Sequence, residues 1–180
     1  MNQNILIIFN LLLIGAALQD VTMLKISNLF PIALILLFGV WLYANGVPGN
    51  LWQNGVMFLI VFAVGIGLFA IRWLGGGDVK LLAATAPWFD LHGGLLLVPY
   101  ITFCGGLLSL LLIFGRRMIP SGARDRLAWP GLKPKGPIPY GVAICAGALF
   151  ALALNGPNPN GRPKLPELHL KAFPQQPTGS

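Results

Sequence analysis

Two carboxylates have the types and positions to do chemistry: Asp20, just past an apolar run, and Asp78, inside Gly75-Gly76-Gly77-Asp78-Val79-Lys80. Asp78 follows an apolar run that ends at Trp73-Leu74 and precedes another that starts at Leu81. An ionisable group beside membrane-grade segments is costly to desolvate, which makes it a functional candidate by default. The glycines lack a Cβ, so they permit φ > 0 and let another chain come close. A site that admits an extended peptide backbone beside a carboxylate needs both properties. The competing structural role for Asp78 is the N-cap of a helix starting at Val79, with the glycines as its loop.

The elements that position these groups follow from composition. Of 180 residues, 56% are hydrophobic and only 9% charged. A soluble domain carries about 25% charged residues, so the chain is expected to be an all-α polytopic membrane protein. The net charge of +7 does not point to nucleic acid, because the basic residues lie between apolar runs and not on a soluble face. Cys104 and Cys145 lie inside apolar runs with no CxxC pair, and are expected to be buried small hydrophobes. His92 and His169 pair with no nucleophile, so Ser-His and Cys-His chemistry has no support. The first four residues carry no Lys or Arg, unlike a secretory signal, so the apolar run at 5–18 reads as a retained first span.

Six spans are expected, over about 4–18, 29–43, 56–73, 81–89, 95–114 and 138–154. The fourth is short, and one way to complete it is extension through His92. A transmembrane domain at 1–154 is followed by a polar, proline-rich tail at 155–180 that is expected to be disordered. Lys25, Arg72, Lys80, Arg116, Arg117, Arg124, Arg126, Lys133 and Lys135 all fall in the first, third and fifth connectors. By the positive-inside rule these connectors are cytoplasmic. Trp129, in the fifth, is expected to anchor at the interface.

Topology then sorts the five acidic residues. Asp20 and Asp78 come to the same border, Asp90 to the opposite one, Glu167 to the tail, and Asp125 pairs with Arg124 or Arg126 in a basic loop. Asp20 follows a helix C-terminus, where the dipole disfavours an anion, whereas Asp78 precedes a helix N-terminus, which favours one. One protonated and one ionised carboxyl is the combination that splits a peptide bond with water. The competing role for Asp20 is an ordinary connector charge. Lys80 is a candidate to stabilise the Asp78 anion, and equally a topology charge.

These residues resemble the type IV prepilin peptidase family of membrane aspartic proteases, in the short form associated with Flp/Tad-type pili. Gly75-Gly76-Gly77-Asp78, continued by Val79-Lys80, fits the family's GxGD motif. Asp20 followed by Ile26-Ser27-Asn28 is similar to its first aspartate and Ile-Pro-Asn stretch. Pro139-Tyr140-Gly141-Val142-Ala143-Ile144 is similar to its PYG-type segment, and the six-span layout also matches. Thr22 stands where an arginine is common, and Ser27 where a proline is usual. The CxxC-bearing domain of the long form is absent from this sequence, so its N-methylation activity is not expected.

The resemblance implies a GxGD aspartic protease fold in the bacterial inner membrane, with no metal or organic cofactor. It implies removal of the basic leader from a prepilin, with Asp20 and Asp78 catalytic and Gly75 and Gly77 admitting the substrate backbone. The substrate's apolar helix would pack between spans, where Gly65, Gly67, Gly105 and Gly106 are candidates to line the contact; internal helix packing is the competing role for these four. Two other classes compete. A small transporter or proton-coupled subunit would use Asp20 and Asp78 to carry protons or a cation. A non-catalytic pilus-assembly scaffold would act through the basic loop at 116–135.

Overall fold

The computed structural model describes residues 3–118 and 136–155. Six α-helices are present among them: α1 (Gln3–Met23), α2 (Leu29–Asn45), α3 (Leu51–Ala70), α4 (Gly76–Thr85), α5 (Leu91–Met118) and α6 (Tyr140–Asn155). A 3-10 turn, Ala86–Trp88, follows α4. The described residues contain no strand. Lipid offers backbone groups no hydrogen-bond partners, so apolar segments close their bonds within a helix. α1, α3 and α5 are long and apolar enough to cross a membrane, and α2 and most of α6 are shorter apolar helices. Leu11, Leu36, Leu59, Phe103 and Leu110 face outward from these helices, the apolar exterior of an integral membrane protein. The expected all-α polytopic architecture holds.

Helix boundaries depart from the sequence expectation in ways that matter for the site. α1 does not stop before Asp20 but runs on through it to Met23. α4 begins at Gly76, so the glycines are mostly helix and not loop. The fourth segment is completed by the 3-10 turn and not by His92, which belongs to α5. Ten helical residues and a single 3-10 turn span only about 21 Å. Arg124, Asp125, Arg126, Trp129, Lys133, Lys135, Glu167, His169 and the tail lie outside the described residues.

α4 sits at the centre, packed against α2, α3 and α6, while α6 packs on α1 and α5. The core is closed by aromatic contacts at the end of α4 away from Asp78. The Trp88 ring lies 4.7 Å from that of Phe9 and 5.4 Å from that of Phe38, centroid to centroid. Pro87 has no N–H to continue the helix, and the carbonyls freed at this break find a donor in α3. The Asn54 amide, buried, donates to Pro87 O at 2.8 Å and to Phe89 O at 3.3 Å. Asp90 then caps α5, its carboxylate accepting the Gly93 N–H at 2.7 Å. Asp90 therefore stands at the opposite end of α4 from Asp78, and does a cap's work.

Of the glycines Gly65, Gly67, Gly105 and Gly106, two meet this chain's own helices. Gly65 faces Val79, and Gly105 faces Ala143, while nothing within 4 Å faces Gly67 or Gly106. At Gly147 an added Cβ would come within 2.7 Å of the backbone of Ile101, so α6 and α5 meet backbone to backbone there. Its signal in the sequence, one glycine in a glycine- and alanine-rich apolar run, is too common to single it out.

Candidate active site

Asp20 lies in the last turn of α1, only 5% exposed. Its carboxylate Oδ2 accepts the backbone N–H of Gly141 at 2.7 Å. Gly141 is the second residue of α6, so this N–H is one of those a helix start leaves without an intrahelical acceptor. The sequence places Asp20 at the unfavourable end of its own helix. The fold adds the favourable end of another, where the dipole and a free N–H both attract an anion.

Asp78 occupies the third position of α4 and not its cap, which is Gly75. Its Oδ2 accepts the Gly75 N–H at 3.2 Å, the back-reaching half of a capping box. The two carboxylates are therefore built alike: each gives one oxygen to a backbone N–H at a helix N-terminus. Asp78 precedes the apolar part of α4 and lies outside the spans. Burial pushes its carboxyl up, repulsion from Asp20 pushes it further, and the Gly75 hydrogen bond draws it back, leaving it at about 6. The expected preference of the helix start for the anion is thus present but outweighed.

Both aspartates line one cavity of about 680 Å³, together with Leu24, Arg72, Trp73 and Tyr140. Leu24 and Arg72 are the non-glycine residues with positive φ among those described, at 53° and 61°. Leu24 ends α1. Arg72 ends α3 in a Schellman motif, with Trp73 N–H donating to Leu68 O and Arg72 N–H to Phe69 O, each at 2.9 Å. Glycine is the usual residue there, and a side chain costs about 1–2 kcal/mol. Strained backbone of this kind clusters at functional sites.

Gly75 lines the cavity and Gly77 does not. An added Cβ on Gly77 would lie 3.2 Å from Ile26 Cβ and 3.4 Å from Ile26 O, so the backbone that approaches it is that of the first connector. The same Ile26 reaches Gly141, where an added Cβ would lie 3.0 Å from its Cδ1. Ile26 is thus wedged between the start of α4, which holds Asp78, and the start of α6, which holds Asp20. The connector is fixed in turn by Ser27, whose backbone N–H donates to Gln19 Oε1 at 2.7 Å. A proline at Ser27 has no N–H to give. Lys80 does not line the aspartate cavity and donates to Asn28 Oδ1 at 2.9 Å, tying α4 to the start of α2. Among the described residues, no three His, Cys, Asp or Glu side chains come together as a metal site.

Gly141, Ile26 and Gln19 are contributors that the residue types alone do not single out. Gly141 was marked only by its place in the PYG-type segment and Ile26 only by its place in Ile26-Ser27-Asn28, while Gln19 was not marked at all.

The fold and this site define a polytopic membrane protein with a paired-carboxylate cavity at one end of its helices. The model of the type IV leader peptidase family matches residues 7–113, more than half of the chain, and the protein belongs to that family. It is accordingly a protease of leader-peptidase type. The matched stretch contains Asp20 and Gly75 to Lys80 but stops before α6 and Gly141. No curated protein and no solved structure matches the chain.

Proposed function

We propose that the protein is an aspartic endopeptidase of the cytoplasmic membrane, removing the basic leader of Flp-type prepilins at the cytoplasmic border. The observation that carries this reading is the pair Asp20 and Asp78, brought from α1 and α4 to one cavity. Each spends Oδ2 on a backbone N–H, which leaves Oδ1 of each for water and substrate. The pair shares one proton. The ionised carboxylate takes a proton from water, whose oxygen attacks the scissile carbonyl carbon. The protonated carboxyl hydrogen-bonds the carbonyl oxygen as charge builds there. The tetrahedral adduct then collapses, the C–N bond breaks, and the proton passes to the departing amine. The apparent titrations belong to the pair. Gly75, on the cavity wall, is where the substrate backbone approaches. Gly77 serves by admitting Ile26, and Lys80 by holding α4 to α2.

The cytoplasmic side is supported by the basic residues at the aspartate end. Arg72 lines the cavity, and Arg116 donates to Gly136 O at 2.8 Å beside Pro137, which lines it too. A transporter would hold its carboxylates near mid-depth, whereas these lie in the last turn of α1 and the first turn of α4.

The test is leader removal from a co-expressed Flp-type prepilin by the wild type, Asp20→Asn and Asp78→Asn, with membrane insertion checked in parallel. Both variants are expected to insert and to leave the precursor uncut. Cleavage at near the wild-type rate by either variant would sink the dyad mechanism. Ion or proton flux lost with cleavage intact would turn the reading to the transporter.

A further inference from the structure

A second cavity, about 490 Å³, opens over α4 between α2 and α3. Both helices pack on α4 and have little contact with each other, so α4 forms the floor of a groove between them. Ala83 and Ala84 line that floor, Ile32 and Ile35 the α2 wall, and Phe58 and Phe62 the α3 wall. The two phenyl rings lie stacked, with centroids 5.7 Å apart. Along α2 the groove runs from Asn28 to Leu36, eight helical steps or about 12 Å. Ile32, Ile35 and Leu36 are exposed, so the groove is open to the surrounding bilayer. It is apolar except at one end, where Asn28 and Lys80 line it. That end is the border at which the aspartates lie, since Lys80 follows Asp78 by two residues.

Lys80 brings a cation to this end with no anion to answer it. Its ammonium donates to Asn28 Oδ1, a neutral acceptor. Among the described residues no carboxylate pairs with it, and Asp78 lines the other cavity. An ammonium has three N–H donors, so two remain after the bond to Asn28. A cation beside an apolar wall is costly until an anion meets it.

We propose that this groove holds one anionic glycerophospholipid, with its phosphate on Lys80 and an acyl chain between α2 and α3. The proposal goes beyond the peptidase reading and does not rest on it. The groove asks for an anion at the border joined to an apolar chain below it. A phospholipid of the adjoining leaflet has that build and already lies at that depth. A free phosphate leaves the apolar walls unused. The apolar helix of the proposed substrate is the other candidate, but its leader is basic and carries the same charge as Lys80. A lipid held here fills the gap between α2 and α3 and braces α4, the helix that carries Asp78.

The test places the purified full chain in phosphatidylcholine bilayers with a trace of phosphatidylglycerol that bears a photoreactive diazirine in its acyl chain. After illumination, adducts are mapped by mass spectrometry. They are expected at Ile35, Phe58 and Phe62 in excess over Leu107 and Leu111, which are exposed on α5. Unlabelled phosphatidylglycerol is expected to compete them away, and extra phosphatidylcholine to leave them. Lys80→Gln keeps a donor for Asn28 and loses the charge. It is expected to cut the groove adducts about fivefold, the weight of one basic residue at an anionic surface, with the α5 adducts unchanged. Lys80→Arg is expected to retain them. Equal adducts on groove and α5, or equal competition by both lipids, overturn the proposal, because either result means ordinary bilayer contact. An unchanged groove yield in Lys80→Gln overturns it too. Loss of the groove adducts when a Flp-type prepilin is added overturns it in favour of the substrate helix. If Lys80→Gln does not fold, the competition on the wild type decides. None of these readouts needs cleavage, so failure here leaves the peptidase reading standing, and failure of that reading leaves the lipid site to its own test.

Discussion

The backbone N–H of Gly141 and the carboxylate of Asp20 lie 2.7 Å apart although 121 residues separate them in the chain. α6 thus holds the first aspartate, and Gly141 can do so because it has no side chain. An added Cβ would lie 2.9 Å from Asp20 Oδ2 and 3.0 Å from Asp20 Cβ. Gly141→Ala is expected to insert normally and to lower leader cleavage roughly 10- to 100-fold. That matches loss of one charge-assisted hydrogen bond, about 1.5–3 kcal/mol. Timed conversion of precursor to mature pilin checks it.

Asp78 titrates above an ordinary aspartate, at about 6 against 3.8, through burial first and repulsion from Asp20 second. Asp20→Asn removes the second cause and leaves the first. The Asp78 carboxyl is then expected to titrate lower than in the wild type but still above 3.8, read from its infrared band against pH.

The sign for stability follows from the same shift. A carboxyl whose folded value is raised binds its proton more tightly when folded, so it favours the fold at low pH and loses that effect as pH rises through about 6. Asp78→Asn is therefore expected to flatten the fall in thermal stability between pH 4 and 7 and to be the more stable protein at neutral pH. A melting series in detergent shows it.

Ile26 packs on both Gly77 and Gly141, so it sets the spacing of the two helix starts that hold the carboxylates. Ile26→Val keeps the Cβ at Gly77 and removes the Cδ1 at Gly141. Loss of that one methyl group is expected to lower stability by about 0.5–1.5 kcal/mol. It is also expected to reduce kcat more than it raises KM, because the groups displaced are those that meet the reacting bond. Steady-state cleavage of a purified precursor separates the two.

The bond from Ser27 N–H to Gln19 lends itself to a double-mutant cycle. Gln19→Ala is expected to cost about 0.5–1.5 kcal/mol in the wild-type background and close to nothing once Ser27→Pro has removed the donor. Additive losses would mean that the bond does not hold the connector.

The sequence makes the architecture and the pair of carboxylates legible because both rest on local signals. Apolar runs, basic connectors and a carboxylate set between apolar segments each occupy a short stretch. The symmetry of the site was not legible. Asp20 looks like an anion at the wrong end of a helix until the fold brings α6 to it, and no spacing in the chain announces that contact. Asp78 looks like a cap, since helix starts cannot be placed by propensity within a run of three glycines. The same limit hid what Ile26 does: the Ile26-Ser27-Asn28 stretch marked its place, but not that it touches two distant glycines at once. The break after α4 was half-visible in the shortness of the fourth apolar run, but the Asn54 amide that satisfies its carbonyls comes from another helix.

The left-handed residues Leu24 and Arg72 have a consequence for how this protein can change over generations. At each position glycine would let the chain turn more easily, so drift governed by folding alone runs toward glycine at both. Exchange there should be tolerated by the fold and resisted by whatever the cavity does. Among related chains, a glycine at either position would mark a site whose demand on that side chain has lapsed. Leucine or arginine held there would mark one still in use.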